Sequence, residues 1–197
     1  THNMTRALAA GLTKLGCNVG ADAFFDTLRV KPGKIAADSV ISNALARRIN
    51  LRRFGDGTIG VSLDESVSEN DVLDILECFN SGKPTGFTVP SLLAEAPAAE
   101  TLSGSIARKS AYLQHPVFNT HHSETELLRY IFELQGRDLS LAHSMIPLGS
   151  CTMKLNATSE MLPVTWAEFG RMHPFAPADQ TRGYARLFRD LETWLAE

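Results

Sequence analysis

Hydrophobic positions recur along the first 80 residues in two alternating periods. Met4, Leu8, Leu12 and Leu15 fall near one face of a helix, with Asn3 as its N-cap and Gly16 as its stop. Residues 24–30, rich in aromatic and branched side chains, predict a strand, and Pro32 and Gly33 turn the chain. A second helix is predicted over 36–49, with Val40, Ile41, Leu45 and Ile49 inward. Residues 51–54 and 58–63 predict two strands joined by Gly55-Asp56-Gly57, because Asp-Gly tolerates the positive φ of a tight turn. Ser68 and Asp71 have the spacing of a capping box, and a third helix follows to about Phe79. The order helix, strand, helix, strand, strand, helix predicts a small α+β domain, a short sheet with helices on one face.

The pattern then changes. Residues 81–112 carry Pro84, Pro90 and Pro97 among several Gly and Ser, and predict an irregular connector. Phe87, Val89, Leu92 and Leu93 make it too apolar to float freely, so it is expected to lie on a surface. Residues 113–197 predict a second, helical unit. Ser123 to Glu126 is a capping box, leading into a helix with Leu127, Leu128, Ile131, Phe132 and Leu134 up to Gly136. A short helix is predicted over 139–144, another is entered by Pro163 with Met161, Trp166 and Phe169, and a last one starts near Thr181. Tyr184, Leu187, Phe188, Leu191 and Trp194 share one face of that last helix. The class is therefore α/β: an α+β domain over 1–80, a connector over 81–112 and the helical start of a second domain over 113–197.

Composition narrows the function more than the fold. A chain of 197 residues, 44% hydrophobic and 21% charged, can bury a core. A net charge of −3 with scattered Lys and Arg argues against a nucleic-acid surface. No apolar run approaches the length of a membrane span, and no charged start precedes an apolar stretch as in a signal peptide. Cys17, Cys78 and Cys151 are odd in number and widely spaced, so neither a disulfide framework nor a zinc pattern is expected, and a reducing compartment is the default. The first residue is not Met and the last ones run on in helical pattern, so both ends look cut from a longer protein.

Candidate chemistry concentrates in residues 146–156, which read I-P-L-G-S-C-T-M-K-L-N. Pro147 and Gly149 break regular structure, and Ser150, Cys151 and Thr152 then offer two hydroxyls and a thiol before the cation of Lys154. Such a backbone can turn several N–H groups toward one anion, and a helix start near Asn156 or Thr158 would add a positive dipole end. A plain polar loop between helices is the structural alternative. Cys151 could have a lowered pKa near Lys154, and Lys154 could form a Schiff base with a carbonyl cofactor. Spacing does not decide among these, and no G-x-S-x-G context supports a Ser nucleophile. A second loop, 172–177, is stiffened by Pro174 and Pro177, which would fix the direction of His173. His121 and His122 are adjacent, so their side chains diverge and make a poor metal pair.

The run from Pro147 to Asn156, with His173-Pro174-Phe175-Ala176-Pro177 and Gln180-x-x-Gly183-Tyr184, resembles the glycine dehydrogenase (decarboxylating) family, the P-protein of the glycine cleavage system. Phe24 to Leu28, Asn50 to Arg53 and Gly60 to Glu65 are also similar to it, so the resemblance covers essentially the whole chain. It implies pieces of a type I pyridoxal-phosphate-dependent transferase fold. Residues 1–80 would be the small domain closing the first of two related halves, and 113–197 the start of the second. It also implies an enzyme that decarboxylates glycine on pyridoxal 5'-phosphate and passes the aminomethyl group to the lipoylated H-protein. The full chain is expected to be a homodimer that binds neither nucleic acid nor membrane. The compartment implied is the mitochondrial matrix in a eukaryote, to which the expectation leans, or the bacterial cytoplasm. One departure matters. The family's Schiff-base lysine follows a histidine, and no His-Lys pair occurs here. Lys154 is therefore not that lysine, no catalytic residue is assigned, and this piece alone is expected to be inactive. Ser150, Cys151, Thr152, Lys154 and His173 remain candidates for lining the cleft of the complete enzyme, with hydrogen bonds from Ser150 and Thr152, charge from Lys154 and orientation by His173. The alternative is a non-catalytic connector that holds the two halves together.

Overall fold

Three short antiparallel strands form the centre of the first half of the chain. A computed structural model describes residues 1–20, 23–97, 107–137 and 157–197. They divide into two compact units, Thr1–Ala107 and Arg108–Glu197. In the first, strands β1 (Thr27–Val30), β2 (Arg52–Arg53) and β3 (Ile59–Ser62) lie in the order β1-β3-β2. Thr27 pairs with Ser62, and Gly60 faces both Arg29 and Arg52. Strand alternation sends Leu28, Val30, Ile59 and Val61 into the core and leaves Thr27, Arg29 and Ser62 exposed. The Asp-Gly turn forms as its residues predict, with Gly57 at φ +80° and the Phe54 N–H donating to the Thr58 carbonyl at 2.9 Å. On the outer face the Phe54 ring lies over Gly60, where a Cβ would sit 3.0 Å from it. The guanidinium carbons of Arg29 and Arg52 stand 4.4 and 4.7 Å from the ring centroid.

Helices α1 (His2–Lys14), α2 (Ala37–Ala46) and α3 (Glu69–Phe79) complete the core of this unit. Leu8 and Leu12 of α1, Val40 and Ala44 of α2, and Val72 and Leu76 of α3 are fully buried. Complete burial of a leucine side chain is worth about 1.5–3 kcal/mol, so these positions carry much of the unit's stability. Gly11 lets α1 approach α3: a Cβ there would meet the Leu76 methyls at 2.7 and 2.8 Å. The capping box at α3 is present, with the Ser68 N–H and hydroxyl donating to Asp71 Oδ2 at 2.8 and 2.6 Å. Helix α2 stops at Ala46, short of the predicted end, and Arg48 turns away at φ +62°. Leu45, predicted inward, is half exposed at 50%. With about 100° per residue, Val40, Ile41 and Ala44 define the inner face and Leu45 falls beyond its rim.

The connector is less irregular than its prolines suggest. Residues Val89–Glu95 form helix α4, which packs on α1 and buries Val89 and Leu92 in the same core. Thr88 and Ser91 cap it reciprocally, each hydroxyl accepting the other's N–H at 3.3 Å. Pro90 sits in the first turn, where its missing N–H has no intrahelical partner to lose.

The second unit contains α5 (Glu124–Arg137), α6 (Thr158–Met161), α7 (Ala167–Gly170) and α8 (Arg182–Ala196). Ser123 caps α5 as predicted, its hydroxyl accepting the Glu126 N–H at 3.2 Å. The single helix predicted around Pro163 is instead α6, a 3-10 turn over Leu162–Thr165 and α7. Trp166, extended at φ −71° and ψ 137°, breaks the run. The helix predicted over 139–144 lies outside the described residues. Among the described residues, no helix is long and apolar enough to cross a membrane.

Candidate functional site

Four of the five candidate residues, Ser150, Cys151, Thr152 and Lys154, lie outside the described residues. The fifth, His173, stands at the head of a tight turn. Gly170 ends α7, and a Cβ there would lie 2.9 Å from the Val164 carbonyl oxygen, so the chain closes tightly on the preceding 3-10 turn. The His173 carbonyl accepts the Ala176 N–H at 3.0 Å, a β-turn with Pro174 at its second position. Within that turn, His173 Nδ1 accepts the Phe175 N–H at 3.0 Å. The ring takes the capping role that Asp or Asn fills at the first position of such turns. Phe175 is left 91% exposed.

The same arrangement occurs at the other His-Pro pair. His115 Nδ1 accepts the Val117 N–H at 3.2 Å, and its carbonyl accepts the Phe118 N–H at 3.0 Å. Both histidines therefore brace turns. His121, at φ +61°, stacks on Tyr130 with centroids 4.3 Å apart. Among the described residues, no three His, Cys, Asp or Glu side chains gather as metal ligands.

Beside the His173 turn, α7 and α8 enclose a cleft of about 450 Å³. Phe169, Met172, Tyr184 and Leu187 make its apolar wall, while Glu168 and Asp190 bring carboxylates to it. Asp190 is paired with Arg186 at 3.4 Å. The Tyr184 hydroxyl donates to the Phe169 carbonyl oxygen at 2.8 Å and ties α8 to the end of α7. His173 does not line this cleft, although its neighbour Met172 does. The sequence motif Gln180-x-x-Gly183-Tyr184 carried the family resemblance without a role for its residues; all three named positions line the cleft. Glu168 had no signal of its own, since a lone carboxylate on a short helix looks like any solvated charge.

In the first unit, chemistry is structural. Cys17 and Cys78 are buried free thiols, and burial pushes both up from the usual thiol range. The Thr58 hydroxyl and N–H hold the exposed Asp56 carboxyl below its ordinary value, with Arg29 adding charge at 2.8 Å. Arg47 joins α2 to α3 through Glu77 at 2.8 Å.

Residues 1–79 match the family model described as glycine cleavage system P-protein. The whole chain is similar to proteins called glycine dehydrogenase (decarboxylating). It is 51% identical over 199 residues to that of Nostoc punctiforme, covering 100% of this chain and 20% of the relative. The relatives of Synechocystis and Bdellovibrio bacteriovorus are 51% and 50% identical over 196 residues, again with 100% of this chain and 20% of the relative covered. The chain thus spans about a fifth of the length of the curated relatives it matches.

Proposed function

We infer that this chain is a segment of a glycine cleavage system P-protein, and that the parent protein decarboxylates glycine and hands the aminomethyl group to the lipoyl arm of the H-protein. The observation that carries this is half-identity sustained over the chain's full length. The small α+β unit would close the first of two type I pyridoxal-phosphate folds, carrying helix α4 with it. The helical unit would open the second. The complete enzyme would work as a homodimer.

Pyridoxal phosphate supplies an electron sink for the carbanion left when carbon dioxide departs, and it needs an amine to anchor its aldehyde. The described residues do not build a site for it. The second unit's one described lysine, Lys109, is not among the residues of the α7–α8 cleft. The segment's own part is therefore positioning. Its turns and short helices would set the wall of a cleft whose anchoring lysine is supplied by another part of the parent protein. On this reading the isolated chain is a catalytically silent connector, and activity belongs to the assembled enzyme.

The test is a segment exchange. This chain replaces the matching fifth of the Synechocystis relative, and release of carbon dioxide from carboxyl-labelled glycine is measured with lipoylated H-protein. The reading requires turnover of the same order as the unexchanged enzyme. A hybrid that folds and takes up pyridoxal phosphate, yet releases none, would contradict it.

A further inference from the structure

Helix α8 repeats its apolar residues at the spacing of a helix that faces a core. Tyr184, Leu187 and Phe188 are followed one heptad on by Leu191, Trp194 and Leu195. A two-stranded coiled coil uses two apolar positions per heptad, and α8 has three. The stripe is therefore broader than a helix-to-helix seam and fits a wider apolar layer. Tyr184 and Leu187 already wall the α7–α8 cleft. The rest of the stripe is open: Trp194 is 66% exposed, and Phe188, Leu191 and Leu195 are exposed with it. Helix α5 shows the same condition at Leu127, Leu128, Ile131 and Phe132.

What the second unit lacks is an interior. None of its described residues is buried, whereas Leu8, Leu12 and Leu76 anchor a closed core in the first unit. A domain of about 60 residues hides about 60% of the surface its unfolded chain exposes. A standard contact between subunits covers only about 800 Å² on each partner. Such a contact does not stand in for a missing core. The chain covers 20% of the relatives it matches, so most of a protein of that length is available on the same polypeptide. Tethering gives such a segment a far higher effective concentration than a separate partner has.

We propose that the apolar face of α8, with the cleft at its start, is a core surface of the complete enzyme. Its occupant is the remainder of the fold that the second unit opens, an apolar layer of the same polypeptide outside these 197 residues. This rests on the reading of the chain as a P-protein segment. It assigns the face neither to a second copy of the chain nor to the H-protein.

Photo-crosslinking of the complete enzyme separates these occupants by mass. A benzophenone is placed on the face by Trp194→p-benzoylphenylalanine and, in a second variant six residues earlier, by Phe188→p-benzoylphenylalanine. Release of carbon dioxide from glycine shows that a variant has folded. Each is illuminated with and without lipoylated H-protein. The expected product keeps the mass of a single chain, and its linked peptide maps outside residues 1–197, with the same yield in both conditions. A product of twice the chain mass would place a second copy on the face and overturn the proposal. So would an adduct of the mass of the H-protein, a link back into residues 1–197, or the absence of any protein link in both variants. If the wild-type enzyme released no carbon dioxide from glycine, the functional reading would fail, and the mass of the crosslinked product would still decide what covers α8.

Discussion

The Tyr184 hydroxyl donates to the Phe169 carbonyl oxygen at 2.8 Å, a bond from one helix to the unsatisfied end of another. Helix α7 is only one turn long, and its last carbonyls have no partners within it. Tyr184 supplies one, and its ring meets Phe169 edge-on at 5.9 Å. Tyr184→Phe keeps the ring contact and removes the hydrogen bond. We expect a loss of about 0.5–1.5 kcal/mol, with faster amide exchange at Phe175 and Ala176. Unchanged exchange there would mean that the turn does not depend on this tie.

Gly33 faces the Gly16 carbonyl so closely that a Cβ would lie 2.3 Å from the oxygen. Backbone lines the space, so no side-chain rotation relieves the clash. Gly33→Ala is expected to destabilise the chain by about 1–3 kcal/mol in urea unfolding. Gly11→Ala meets the Leu76 side chain and not backbone, and should cost less.

The capping carboxylate of α3 predicts an acid limb. The Ser68 hydroxyl, then its N–H, hold the Asp71 pKa below the ordinary value. Its contribution is full above the unfolded value of about 3.9 and is lost as pH falls through the lowered folded value. Asp71→Asn should therefore flatten the fall of Tm between about pH 5 and pH 2, while leaving a smaller cap at neutral pH. An acid limb of unchanged steepness would assign that loss of stability to other carboxylates.

Cys17 and Cys78 should resist thiol reagents in the folded chain and react once it is unfolded in urea, because burial raises both pKa values and hides both sulfurs. Mapping the labelled peptides by mass checks this. Rapid native labelling of Cys78 would contradict the packing of α3 against α1 and α2.

The first unit was largely legible because its signals are local. Helix period, strand alternation, the Asp-Gly turn and the Ser68–Asp71 box each act within a few residues, and each formed. Helix α4 was hidden by Pro90, which looks like a breaker unless Thr88 is recognised as the cap that puts it in the first turn. The broken helix around Pro163 was hidden for the opposite reason: apolar spacing continued through Trp166, where the backbone does not. Leu45 depended on the rim of a helical face, which spacing alone leaves open. Pro174 and Pro177 signalled a stiff loop at His173, but the ring nitrogen that braces it could be assigned only once the Phe175 N–H was placed.

The most direct test of the account is the location of the cofactor lysine. The complete enzyme is loaded with pyridoxal phosphate, reduced with borohydride and digested, and the labelled peptide is identified by mass. The account predicts one stoichiometric adduct on a lysine outside these 197 residues. A stoichiometric adduct on Lys154 or Lys109 would contradict it and make this segment the cofactor-binding unit.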